Sequence, residues 1–128
     1  MILLLDTHIL IWALLDDPAL SNQARRLISD PRNTKCVSSI SICEVAIKHS
    51  LGPERLACSA GEIANYLDQC GLATLDFTPN HAVALETLPW FHRDPFDRML
   101  LAQAITEEMR LVTHDSVLTQ YSDTVIEV

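Results

Sequence analysis

Asp6, Glu44, Asp97 and Asp115 are the residues of this chain whose types and places could do chemistry together. Asp6 closes the apolar run ILLL at 2–5, and Asp115 closes RLVTHD at 110–115. Glu44 falls in the first turn of a helix that follows TKCVSS, and Asp97 in the first turn of one that begins at DPFDR. Four carboxylates gathered without basic partners would repel one another and hold protons more tightly than usual. A divalent cation relieves that repulsion. Ligands that are all carboxylate oxygens, with neither His nor Cys needed, favour a hard ion such as Mg2+ or Mn2+ that keeps several waters. Such an ion neutralises a phosphoryl oxygen and lowers the pKa of an attacking water, so the chemistry indicated is that of phosphate esters.

Whether the four meet depends on the elements that carry them. Residues 2–5 are too few for a helix and read as a buried strand. HILIWALL at 8–15 is apolar all round, and Ser21 can cap a second helix with Ala24, Leu27 and Ile28 on one face. Both should cover a sheet. TKCVSS at 34–39 is a second strand, and Ser39 or Ser41 caps the helix ISICEVAIKHS, which Gly52 and Pro53 stop. EIANYLDQC is an amphipathic helix ended by Gly71, LATLDF at 72–77 a third strand, and Thr78 before Pro79 starts a helix that runs to about Leu88. A helix from the DPFDR stretch to about Met109 leads to a fourth strand at 110–115. A short helical piece near 117–121 and a fifth strand at TVIEV follow.

Strands alternating with helices predict an α/β fold of three layers, α/β/α, with a mainly parallel sheet of about five strands. In such a fold every strand ends, and every following helix begins, at one edge of the sheet, the edge where α/β proteins bind ligands. Asp6, Glu44, Asp97 and Asp115 all belong to it. Asp97 and Asp115 are eighteen positions apart, room for about three turns of helix down the sheet face and a short strand back up.

Each acid also has a local explanation. Asp97 could be the N3 partner of an Asp94 cap with Pro95 at N1, Glu44 could favour the positive end of its helix, and Asp6 and Asp115 could be turn residues at strand ends. Those explanations account for each residue singly. They do not account for all four sharing one edge.

Composition narrows the classes further. The chain of 128 residues has the size of one domain, 1–128, with 48% apolar and 5% aromatic residues, a core of aliphatic side chains. No Gly-rich phosphate loop of the dinucleotide or Walker kind is present. Seventeen acids against nine bases, a net charge of -8, argue against a broad basic face for nucleic acid, though not against a nucleic-acid substrate held through a metal. The four cysteines lack zinc-site spacing and read as reduced thiols of a cytoplasmic protein, most of them small apolar residues. MILLL has no basic residue before it and meets Asp6 at once, so neither a signal peptide nor a membrane span is expected.

The segments LLLDTHILIWALL, SSISICEVAIK, HRDPFDRMLLAQA and LVTHD, in this order and spacing, resemble the PIN-domain family, and within it the VapC-type toxins of toxin-antitoxin pairs. The resemblance implies a metal-dependent endoribonuclease. Position by position, Asp6, Glu44 and Asp97 match the family's metal-holding acids, and Asp115 its more variable fourth acidic position. Thr7 and Thr113 match hydroxyl positions beside them. Asp94 belongs to the DPFDR wording of a subgroup and matches no general metal position, so it keeps the cap. The resemblance further implies an RNA substrate, a homodimer and a cognate antitoxin protein that lays a peptide across the toxin groove.

Two other functions compete with this one. A phosphatase of the haloacid dehalogenase type also has an Asp after an apolar strand, but it needs a second Asp two residues on, where this chain has His8. A non-catalytic interaction domain on the same fold would have no need of intact acids. Of the remaining polar and aromatic residues, His92 and His114 flank the acidic rim and are expected to face solvent. Arg98 is expected to contact an RNA backbone or pair with a surface carboxylate. Trp12 is assigned to core or dimer surface, and Trp90 and Phe91 to an exposed loop before the rim.

Overall fold

A computed structural model describes residues 1–128. β1 (Ile2–Leu5) leads into α1 (Thr7–Leu14) and α2 (Asn22–Ser29), and β2 (Thr34–Ser38) into α3 (Ser39–Leu51). α4 (Ala60–Cys70) returns to β3 (Ala73–Leu75). α5 (Pro79–Ala84) and α6 (Pro95–Thr106) come before β4 (Arg110–Thr113), and a 3-10 turn at Ser116–Gln120 precedes β5 (Val125–Glu127). The five strands form one sheet in the order β3-β2-β1-β4-β5, and every pair is parallel.

β1 is central and buried on both faces, which is why its sequence is an unbroken apolar run. Its side chains alternate between two cores, as the strand period requires. Leu3 and Leu5 join Val37 and Val112 under α1, α2 and α4, where Ile9, Leu10, Ala24, Ile63 and Leu67 are buried. Leu4 joins Cys36, Leu111 and Val125 on the other face, under Leu100, Leu101 and Ala104 of α6. The expected three-layer α/β/α architecture is the one observed. No helix is long and apolar enough to cross a membrane.

Local chemistry sets the element ends. The Ser21, Ser59 and Thr78 side chains each accept an amide hydrogen bond at the start of their helices, and Gly71 ends α4 in the left-handed conformation at φ 65°. For α3 the cap is Ser38, not Ser39 or Ser41: its Oγ accepts from the Ile40 amide at 3.0 Å. The helix therefore begins directly off β2, and Glu44 lies in its second turn instead of its first.

Several elements are shorter than their sequence patterns. β3 pairs with β2 alone and stops at Leu75, short of Phe77. α5 gives way at Leu85 to a 3-10 turn, because Leu88 before Pro89 is pushed to extended backbone, at ψ 130°. α6 ends at Thr106, since Glu108 takes φ 55° and a helix cannot pass through that conformation to Met109. β4 ends at Thr113 and leaves Asp115 in the turn beyond it.

Candidate functional site

The register Leu5↔Val112 between β1 and β4 sets the next residues, Asp6 and Thr113, side by side at the carboxyl edge of the sheet. Asp6 stands at the N-cap position of α1 with extended backbone, yet its side chain makes no cap hydrogen bond. It accepts the Thr113 hydroxyl at 2.5 Å instead. A carboxylate placed at a helix start but not used as the cap is free for a ligand. Asp6 is buried, and burial pushes its pKa up, a push that the Thr113 hydrogen bond partly offsets.

Glu44 reaches the same edge from α3. Thr7, the first residue of α1, donates its hydroxyl to Glu44 Oε1 at 2.8 Å and lies 2.9 Å from Ser41 Oγ. Lys48, one turn further along α3, forms an ion pair with Glu44 Oε2. Burial pulls the Lys48 ammonium down, but the hydrogen bond and charge of Glu44 outweigh it and the pKa stands above the usual lysine value. Sequence reading overlooked Lys48, although its spacing of four from Glu44 on a helix was the available signal.

Asp97 comes from the first turn of α6. Asp94 is the cap of that helix, its Oδ1 accepting from the Phe96 amide at 2.9 Å and the Asp97 amide at 3.4 Å, with Pro95 at the first position. The Asp97 carboxylate is thus not consumed by capping. Unlike Asp6 and Glu44 it accepts no hydroxyl hydrogen bond, and His92 Nε2 stands 3.3 Å from its Oδ2. Burial first, then the charges of Asp6 and Asp94, push its pKa up to about 7, with His92 easing the rise. Asp115 caps the 3-10 turn through Oδ1, which accepts from the Val117 amide at 3.0 Å, while Oδ2 lies 2.7 Å from His92 Nε2.

Asp6, Glu44, Asp97 and Asp115 line one pocket of about 340 Å³, and Asp94 joins them. The structure therefore brings all four predicted acids together, with Thr7 and Thr113 each donating to one of them. Trp12 is the pocket's apolar wall, its ring centroid 5.9 Å from that of His8 and 5.6 Å from that of His114. It packs half-buried against one core, as its sequence position predicts, and also borders the acids. A hollow of about 400 Å³ between α5 and α6, bordered by Leu85, Trp90, Arg93 and Met99, holds no comparable group of acids.

Three expectations change. His92 does not face solvent: it is tied to Asp115 and stands beside Asp97. Arg98 is 4% exposed and pairs with no carboxylate. It donates to the Pro89 carbonyl at 2.7 Å and the Leu88 carbonyl at 3.3 Å, and the exposed Trp90 ring stacks 3.7 Å from its guanidinium carbon. Arg98 thereby pins the loop that carries His92. Of the cysteines only Cys36 and Cys58 are buried, and burial pushes both thiols up; Cys43 and Cys70 are exposed.

The PIN domain family matches residues 3–123, and the chain belongs to that family. Among solved structures it is similar to a chain of VapBC2 from Rickettsia felis, crystallised bound to a DNA fragment from its promoter. That match has TM-score 0.68 and 22% identity and covers 100% of this chain and 98% of the other. It is also similar to a chain of FitAcB from Neisseria gonorrhoeae, with TM-score 0.67, 16% identity and coverage of 98% and 96%. No curated protein matches the sequence closely.

Proposed function

We propose that this protein is an endoribonuclease dependent on Mg2+ or Mn2+, the toxin of a VapC-type toxin-antitoxin pair acting on cytoplasmic RNA. The observation that carries the reading is the convergence of Asp6, Glu44 and Asp97, with Asp115, on one pocket at the carboxyl edge of a parallel sheet. The donor set fits a hard divalent ion, because it is made of carboxylate oxygens and one of them, Asp97, is pushed up to about 7 by burial and by the neighbouring carboxylates.

Asp6, Glu44 and Asp97 would hold the ion. When bound it would supply charge neutralisation at a phosphoryl oxygen and a lowered pKa for the attacking water. The residues of the chain do the rest. Thr113 and Thr7 fix the carboxylates of Asp6 and Glu44 by their hydroxyl bonds, so the ligands need not reorganise. Lys48 neutralises Glu44 and offers an ammonium to a phosphate oxygen of the RNA. Water attacks the phosphodiester in line with the leaving 3′ oxygen, giving a 5′-phosphate and a 3′-hydroxyl.

An antitoxin partner is supported by the two structural neighbours, whose names, VapBC2 and FitAcB, are those of two-component complexes. Exposed apolar side chains of α3 and α5, Ile47, Leu51 and Val83, offer surface to such a partner or to a second copy in a homodimer. Purified protein incubated with single-stranded RNA should cleave it with Mg2+ or Mn2+ and stop with EDTA. Cleavage that continues in EDTA, or in Asp6→Asn, overturns the proposal.

A further inference from the structure

His92, Asp97 and Asp115 place one ring nitrogen and two carboxylate oxygens within 4.8 Å of one another, a grouping that looks like a metal site with an imidazole ligand. The hydrogen bonds of the ring exclude that reading. The Asp94 amide donates to His92 Nδ1 at 3.0 Å, so Nδ1 presents its lone pair and carries no hydrogen. The ring proton, assigned from this pattern, is on Nε2, where it points at Asp115 Oδ2 at 2.7 Å with Asp97 Oδ2 at 3.3 Å. A nitrogen that donates a proton cannot at the same time ligate an ion.

The rest of the loop holds His92 to this task. Its amide donates to the Tyr121 hydroxyl at 2.8 Å, and Arg98 donates to that hydroxyl at 3.3 Å as well as to the Leu88, Pro89 and His92 carbonyls. Both oxygens of Asp115 are consequently engaged, Oδ2 by His92 and Oδ1 by the Val117 amide. Glu44 is likewise engaged at both oxygens, by Thr7 and Lys48.

We propose that His92 is a positioning residue: its Nε2 proton holds Asp115 turned along the rim, beside the cation that Asp6, Glu44 and Asp97 hold. The inference rests on the cation site proposed above. His92 acts on the ion only through Asp115, and its loss loosens a carboxylate without removing a ligand. Of the two amide substitutes, Gln carries its nitrogen near the Nε2 position and keeps the donor, whereas Asn reaches only to the Nδ1 position.

The test is calorimetric titration of Mn2+ into the native chain, His92→Gln and His92→Asn, with metal-free melting temperatures measured on each. At matched melting temperatures, His92→Asn should bind Mn2+ about tenfold or more weakly, and His92→Gln within a few-fold of native, as expected for a residue that orients a ligand. Native-like affinity in His92→Asn overturns the inference. So does a 15N spectrum of the imidazole that places the proton on Nδ1. The two failures are separable: if Asp97→Asn binds Mn2+ like the native chain, the cation site itself is wrong. If Asp97→Asn abolishes binding and His92→Asn leaves it unchanged, only the role of His92 is wrong.

Discussion

Thr113 and Asp6, 107 positions apart, share a 2.5 Å hydrogen bond across the junction of β4 and β1. The bond is a consequence of sheet register, since Leu5 and Val112 are paired and the residues after them face one another. It offsets part of the cost of burying the Asp6 carboxylate.

Thr113→Val should therefore raise the Asp6 pKa further and weaken divalent-ion binding at neutral pH by about tenfold, whereas Thr113→Ser should keep it. Titration calorimetry with Mn2+ reads both. Equal affinity in Thr113→Val would mean that the hydroxyl does not support the site.

Asp94 and Asp97 should separate cleanly. Asp94→Asn retains the cap and should retain RNA cleavage, while Asp94→Ala should cost about 1 kcal/mol of stability in urea unfolding. Asp97→Asn should abolish metal-dependent cleavage and raise the metal-free melting temperature, because it removes the carboxyl that burial and neighbouring charges hold at about 7. Loss of cleavage in Asp94→Asn with cleavage intact in Asp97→Asn would reverse the two assignments.

The same carboxyl gives a pH signature. Between its ordinary value of 3.8 and its folded value of about 7, the native state keeps a proton that the unfolded chain has released. Metal-free stability should fall as pH rises through that interval and level off above it. Asp6, also raised, acts in the same direction, and Asp30, held down to about 2 by Arg32, acts only below the interval. Urea midpoints at about pH 5 and about pH 8 should differ in the native chain and differ less in Asp97→Asn. Metal affinity should run the opposite way and increase with pH, since the proton competes for Asp97.

Gln103 is buried in α6, where its Oε1 accepts the Ser38 hydroxyl at 2.5 Å and its amide donates to the Asp76 carbonyl at 3.3 Å. It ties the helix that carries Asp97 to the start of the helix that carries Glu44. Gln103→Ala leaves a cavity and unpaired polar atoms and should cost about 3 kcal/mol in urea unfolding. A loss below about 1 kcal/mol would contradict that coupling.

What could be read along the chain was what depends on near neighbours. ILLL followed by Asp6, the caps at Ser21 and Thr78, Pro95 after Asp94 and the stop at Gly71 are decided within a few residues, and the structure has them. The depth of Glu44 was misjudged by a turn because three serines, Ser38, Ser39 and Ser41, are equivalent as local caps; only the end of β2 pairing selects the first. His92 and Arg98 were misread for a related reason. A histidine and an arginine near acids look solvent-facing in one dimension, and their partners, Asp115, Tyr121 and the Leu88 and Pro89 carbonyls, are supplied by folding of the loop against α6 and the 3-10 turn.

Anomalous diffraction from crystals soaked in Mn2+ would locate the cation itself. A strong peak is expected, bounded by carboxylate oxygens of Asp6, Glu44 and Asp97 at roughly 2.0–2.3 Å, with Asp115 reached through water. A peak held by Asp94 or by His92 Nε2 in place of these three, or no peak in the pocket, would contradict that expectation.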